Sequence, residues 1–207
     1  MTWIKICGIT NIEDGWKAVC LGVDALGFIF APSPRRVDPV KVRKMIQNLP
    51  PWVFKIGVFV NQKCSEVEDI ATHCLLNLLQ FHGEESPEYC KKFSLPVIKA
   101  IHIKDFRSLH PMEKYPDTTL LLDTYSPVRA GGTGIPFPWE IALRGKEKRN
   151  FILSGGLSPD NVREAILKVR PWGVDVCSGV ETTPGKKDLL KMDEFIKEVK
   201  KADEEAG

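Results

Sequence analysis

Trp3-Ile4-Lys5-Ile6-Cys7-Gly8-Ile9-Thr10-Asn11-Ile12-Glu13 reads as a strand, a turn and a helix start in succession. The run 3–7 is short and nearly all apolar, as in a strand of a parallel sheet buried on both faces. Gly8 interrupts it, and Thr10-Asn11-Ile12-Glu13 fits a capping box that opens a helix. The same alternation recurs along the whole chain. Strands are expected at 3–7, 25–30, 54–59, 77–80, 97–101, 120–123, 151–154 and 174–177. Helices are expected at 11–22, 38–49, 65–74, 87–94, 104–114, 138–147, 159–169 and 188–203. Ser65-Glu66-Val67-Glu68 fits a second capping box. Asp38-Pro39, Ser86-Pro87 and Ser158-Pro159 each set an N-cap residue before a proline at the first helical position. Eight βα units in 207 residues predict the α/β class and a single (β/α)8 barrel, one domain over residues 1–207. An open doubly wound sheet is the competing topology, and it expects a glycine-rich dinucleotide turn after the first strand. Cys7-Gly8-Ile9-Thr10 lacks that turn.

Composition narrows the function. Hydrophobic residues make up 43% and charged residues 27% of the chain, with a net charge of +2. That balance, with no block of like charges, excludes a broad nucleic-acid surface. No apolar run is long enough to span a membrane, and the N-terminus lacks the pattern of a secretory leader. The six cysteines form no C-x-x-C pair, so neither a zinc site nor a disulfide framework is expected. Free thiols point to a reducing compartment, hence the cytoplasm. The stretch 197–207, rich in Lys and Glu, reads as a helix end that frays in solvent.

Polar residues gather where the strands end. They are Cys7, Arg35 and Arg36, Asn61, Gln80 and His82, Asp123, Gly155 and Gly156, and Ser178 and Gly179. In a barrel those ends form one face, which carries the active site. A free cysteine has a pKa near 8.5, so about 3% is thiolate at pH 7. Cys7 is therefore either a base whose pKa a nearby cation lowers, or a small buried apolar residue. Asp123 is either a cap for the next turn or a proton donor whose pKa burial raises. Ser154-Gly155-Gly156-Leu157 before Ser158-Pro159 suits a phosphate cradle at a helix start, completed by Ser178-Gly179, or two plain glycine turns. Arg35 and Arg36 are carboxylate-binding candidates or solvated surface groups. Gly131-Gly132-Thr133-Gly134 lacks the Lys-Ser/Thr of a P-loop and reads as a loop over the substrate.

These motifs in order carry a resemblance. Lys5-Ile6-Cys7-Gly8-Ile9-Thr10, Gly27-Phe28-Ile29-Phe30 with Ser33-Pro34-Arg35, and Gly57-Val58-Phe59-Val60-Asn61 are three of them. Leu79-Gln80-Phe81-His82-Gly83, Leu121-Leu122-Asp123-Thr124 and Leu153-Ser154-Gly155-Gly156-Leu157 follow, then 174–181 and Pro184-Gly185-Lys186-Lys187-Asp188. Over nearly its full length the chain resembles the phosphoribosylanthranilate isomerases, TIM-barrel enzymes of tryptophan biosynthesis. The resemblance implies an Amadori rearrangement of N-(5′-phosphoribosyl)anthranilate to 1-(2-carboxyphenylamino)-1-deoxyribulose 5-phosphate. It implies Asp123 as the acid toward the ribose ring oxygen and Cys7 as the base at C2′. Arg35, with Arg36 as the alternative, would bind the anthranilate carboxylate. Gln80 and His82 would contact the substrate, and Gly155, Gly156, Ser178 and Gly179 would hold its phosphate. It implies a phosphorylated small molecule as the ligand, neither metal nor organic cofactor, and a monomer or homodimer. Two places depart from the family pattern. Ile135-Pro136-Phe137-Pro138 replaces a more polar stretch, and Cys177 stands where Ser is common.

Other phosphosugar barrels fit less well. Ribulose-phosphate epimerases use His and Asp around a metal, and the four histidines here have no paired ligand spacing. Histidine-pathway isomerases place an aspartate where this chain has Cys7. A barrel that binds phosphate without catalysis has no use for both Cys7 and Asp123.

Overall fold

The computed structural model describes residues 1–125 and 136–207. Gly131-Gly132-Thr133-Gly134 and Ile135 lie outside the described residues. Eight parallel strands close into a barrel in sequence order. They are β1 (Trp3–Cys7), β2 (Ala25–Ile29), β3 (Phe54–Phe59), β4 (Leu78–Phe81), β5 (Val97–Ile103), β6 (Thr119–Thr124), β7 (Ile152–Leu153) and β8 (Gly173–Val176). The helices between them are α1 (Ile12–Leu21), α2 (Pro39–Gln47), α3 (Cys64–Cys74), α4 (Pro87–Cys90), α5 (Trp139–Lys146), α6 (Val162–Val169) and α7 (Leu189–Ala206). A 310 helix, Phe106–Lys114, follows β5.

The barrel sorts side chains by strand alternation. Ala25, Ile56, Ile98, Ala100, Leu121 and Ile152 meet inside, with Trp3 and Leu78 against them. Their neighbours in sequence, such as Ile4, Leu26, Leu79, Leu120 and Leu153, face outward into the larger core beneath the helices. The apolar plug fills one end of the barrel. Two residues further along several strands, the inward positions become polar: Gln80, Asp123 and Ser154. The site is thus the next layer of the same alternation.

Helix starts depart from expectation in three places. Asn11, not Thr10, caps α1 by accepting from the Asp14 N–H; Thr10 Oγ1 instead donates to Gly185 O at 2.5 Å. α3 begins at Cys64 with Lys63 as an N-cap that makes no side-chain bond, so Ser65 lies inside the first turn. Ser158-Pro159 opens a turn, and α6 starts only at Val162; Asn161 Oδ1 accepts from the Ser158 N–H at 2.9 Å. Asp38 and Ser86 cap α2 and α4 as expected.

The segment expected as the fifth helix is 310. Leu109 and Met112, its buried residues, are three apart, which matches three residues per turn, and Pro111 inside it removes an amide donor. α4 stops at Cys90, and the chain is extended again by Pro96, which disfavours helix at Leu95. The C-terminal end is held rather than frayed. Thr2 donates through its N–H and hydroxyl to Asp203 at 2.7 and 2.6 Å, and Val199 and Ala202 are buried. A short hairpin, β9 (Glu181–Thr183) and β10 (Lys186–Lys187), precedes α7 and was not expected.

Candidate active site

A cavity of about 460 Å³ opens at the C-terminal ends of the strands. Cys7, Arg35, Gln80, His82, Asp123, Gly155, Gly156 and Ser178 all line it. Two of the expected residues do not. Arg36 is exposed outside the cavity, because Arg35 takes the inward direction at this point of the loop. Gly179 lies behind the rim, where its bare Cα abuts the Leu157 carbonyl with no room for a Cβ. Asn61 also stays outside. With φ of +52° it turns the chain after β3, and its Oδ1 accepts from the Glu84 N–H at 2.8 Å.

Cys7 sits in a network of buried charges. Lys5, two residues earlier on the same inward face, pairs with Asp175 at 2.8 Å. Burial opposes the Lys5 charge, but Asp175 outweighs it and holds the ammonium above its usual range. Arg35 reaches Glu181 with Nε at 2.9 Å and Nη2 at 2.7 Å. Lys187 reaches the same carboxylate at 2.8 Å. Lys5, Arg35 and Lys187 thus bring three cations close to the Cys7 thiol, beside the carboxylates of Asp175 and Glu181. A hydrogen bond from Cys177 lowers the Cys7 pKa to about 6, against the cost of burial and with help from Lys5 and Lys187. That bond and burial push the Cys177 thiol well above its ordinary value. Gly8, with φ of +77°, leaves space for the Arg35 stem; a Cβ there would lie 2.8 Å from Arg35 Cδ.

Asp123 sits across the cavity. His82 Nε2 lies 2.9 Å from its Oδ2, and the Thr124 N–H donates to its Oδ1 at 2.8 Å. Gln80 Nε2 lies 3.0 Å from His82 Nδ1. With the amide donating there, His82 carries its proton on Nε2, facing Asp123. Burial pushes the Asp123 carboxyl up, but the hydrogen bonds from His82 and the Thr124 N–H hold it below its ordinary value. The expectation of a raised pKa therefore fails, because burial comes with partners. Behind the dyad, Lys99 pairs with Glu85 at 3.0 Å, and Glu85 accepts from the Gly83 and Asn61 N–H groups, which fixes the loop carrying His82.

His82, His102 and Asp123 bring three possible metal-donor atoms within 4.8 Å. Both His82 nitrogens are already hydrogen-bonded, and His102 Nε2 bonds to His82 O at 3.0 Å. The cluster is thus internally satisfied.

Gly155 and Gly156 carry φ of +83° and +70°. Gly155 lets the loop pass Asp123; a Cβ would fall 2.9 Å from Asp123 Oδ1. Next to them the 310 turn Ser178–Val180 starts at the cavity edge. These two turns, not a helix start, stand where the phosphate cradle was expected, since α6 begins only at Val162. Lys5, Asp175, Glu181 and Lys187 were not singled out from the sequence, and Cys177 only as a departure from the family pattern. The signal was there for Lys5 and Asp175, since a charge inside an apolar strand needs a partner.

Fold and site define a (β/α)8-barrel enzyme with a thiol and a carboxylate lining one cavity at the C-terminal ends of the strands. Residues 4–198 match the family model described as N-(5'phosphoribosyl)anthranilate (PRA) isomerase. N-(5'-phosphoribosyl)anthranilate isomerase of Geobacter sulfurreducens is 49% identical over 201 residues, 97% of this chain and 99% of its own. The protein of the same name from Desulforudis audaxviator is 51% identical over 204 residues, 98% of this chain and 100% of its own. The crystal structure of the Thermotoga maritima phosphoribosyl anthranilate isomerase superposes with a TM-score of 0.92 at 44% identity, covering 97% of this chain and 100% of its own. A phosphoribosyl anthranilate isomerase in complex with reduced 1-(o-carboxyphenylamino)-1-deoxyribulose 5-phosphate gives 0.89 at 43% identity, covering 97% and 100%. This chain belongs to the N-(5'-phosphoribosyl)anthranilate isomerase family of tryptophan biosynthesis.

Proposed function

We propose that this chain, as one barrel domain over residues 1–207, isomerises N-(5′-phosphoribosyl)anthranilate by general acid–base catalysis with Asp123 and Cys7. The carrying observation is the placement of an acidified thiol and a histidine-aligned carboxylate on the rim of one cavity. A relative binds the reduced product analogue, a phosphorylated and carboxylated molecule. Gly155, Gly156 and Ser178 hold the phosphate of the substrate on backbone N–H groups, and Gly179 lets the two turns approach. Arg35, anchored by Glu181, offers its remaining N–H donors to the anthranilate carboxylate. Gln80 Oε1 is buried without a hydrogen-bond partner among the described residues and accepts from the sugar. His82 keeps Asp123 aimed.

The substrate shifts this balance when it binds. Its phosphate and carboxylate bring negative charge and exclude water, and both raise the proton affinity of Asp123. Asp123 then protonates the ribose ring oxygen, and the C1′–O bond opens to an iminium. The Cys7 thiolate removes the C2′ proton, giving an enolamine. Tautomerisation yields the ketone. The transferred protons account for the whole change, so the chain's own residues complete the reaction. The chain acts as a monomer or as a homodimer. Free cysteines suit the cytoplasm; among the described residues, no helix is long and apolar enough to cross a membrane.

The test is loss of substrate fluorescence on adding the protein to freshly made N-(5′-phosphoribosyl)anthranilate. Turnover that saturates with substrate is expected. No turnover above the uncatalysed rate would reject the assignment and leave a phosphate-binding barrel.

A further inference from the structure

The reaction uses Cys7 but gives Cys177, a second thiol on the same rim, no step. β1 and β8 run in parallel register from Trp3 opposite Gly173 to Ile6 opposite Val176. Cys7 and Cys177 are the residues directly after that last pair, at the same end of the two neighbouring strands. Neighbouring strands lie about 4.7–4.9 Å apart, inside the roughly 4.4–6.8 Å Cα separation that a disulfide spans. Cys177 Sγ lies 3.0 Å from where a Cβ on Gly8, the residue next to Cys7, would stand, and both cysteines line the cavity.

We propose that Cys7 and Cys177 are a redox modification site, at which a small peroxide closes a reversible disulfide between β1 and β8 and switches the isomerase off. The Cys7 thiolate attacks one peroxide oxygen. The O–O bond breaks, leaving a sulfenic acid on Cys7 and a hydroxide that takes a proton to become water. The Cys177 sulfur then attacks the Cys7 sulfur. The S–S bond forms, the S–O bond breaks, and the hydroxyl leaves with the Cys177 proton as a second water. Two electrons pass from the sulfurs to the peroxide, and a dithiol such as dithiothreitol returns them.

The surroundings divide the labour. Thiolate character makes Cys7 the attacking sulfur, and Cys177 keeps the proton that the second step needs. Lys187 Nζ lies 3.9 Å from Cys177 Sγ, close enough to stabilise negative charge as that proton leaves. Burial pushes the Cys74 and Cys90 thiols up to about 11, which makes them poor competitors. The disulfide needs only this geometry; the loss of activity rests on the base role of Cys7.

The experiment is tryptic mapping without reductant after treatment with excess hydrogen peroxide. The expected product joins the peptide 6–17 to the peptide 169–186. Turnover should fall as the linked peptide grows, and dithiothreitol should reverse both. In Cys177→Ser, peroxide should carry Cys7 on to the sulfinic acid. Dithiothreitol should then recover at least tenfold less of that variant's own starting activity. Absence of the linked peptide in the wild type would overturn the proposal. So would equal recovery in Cys177→Ser. A linked protein with full turnover would uphold the disulfide and overturn the base role of Cys7.

Discussion

Cys7 is acidic because of what lies on its own strand and the next. Lys5 is fully buried and points the same way, and Cys177 completes the thiol's surroundings. A thiol pKa near 6 has a direct reading. The rate of Cys7 alkylation by iodoacetamide, taken against Cys7→Ser, should rise through pH 6 and level off by pH 7. A midpoint near the ordinary value of about 8.5 would contradict it. Since only the thiolate accepts a proton, kcat/KM should fall as the pH drops below about 6. Lys5→Met leaves Asp175 buried without its partner. It should cost about 3–5 kcal/mol of stability, read by urea unfolding, and shift the alkylation midpoint upward. Much of this was legible in the sequence. Cys7 and Asp123 stood out as polar ends of apolar strands. Their state did not, because it depends on residues brought together by barrel closure: Cys177 on Cys7, His82 on Asp123.

The elements that follow strict alternation or a capped helix were readable; those governed by contacts distant in sequence were not. β1 and β3 have the expected limits, since continuous apolar runs bounded by Gly or Asn leave little choice. The 310 segment escaped because the three-residue spacing of Leu109 and Met112 also fits an α-helix. The start of α6 escaped because Asn161 takes the Ser158 N–H, so Ser158 does not cap the helix. The hairpin Glu181–Lys187 was foreshadowed only by its Pro184-Gly185 turn, with φ of +86° at Gly185. At this scale the phosphate turns are testable. Gly155→Ala forces a Cβ into a left-handed position against Thr124 and Asp123. The inhibition constant of inorganic phosphate should rise about tenfold or more, with a stability cost of about 1–2 kcal/mol. An unchanged constant would remove Gly155 from the cradle.

For the whole molecule, the barrel separates stability from chemistry along its axis. The apolar plug at one end needs no partner groups. Leu121→Ala there should cost about 2–5 kcal/mol by urea unfolding and leave the alkylation midpoint of Cys7 in place. The polar layer above it ties stability to pH. Burial favours the neutral Asp123 and Glu181, but His82, Arg35 and Lys187 outweigh it and lower both pKa values. Such groups stabilise the fold above the ordinary carboxylate range, and that part is lost as pH falls through their lowered values. The urea midpoint should therefore hold from pH 7 to about pH 5 and drop as the pH falls below about 4, less steeply in Glu181→Gln. A single-turnover comparison of wild type with Cys7→Ser and Asp123→Asn, each with bound N-(5′-phosphoribosyl)anthranilate, probes both catalytic assignments together. The chemical step should slow by about 10²–10⁴-fold in each variant while substrate affinity changes little. A variant that turned over at the wild-type rate would contradict the role given to that residue.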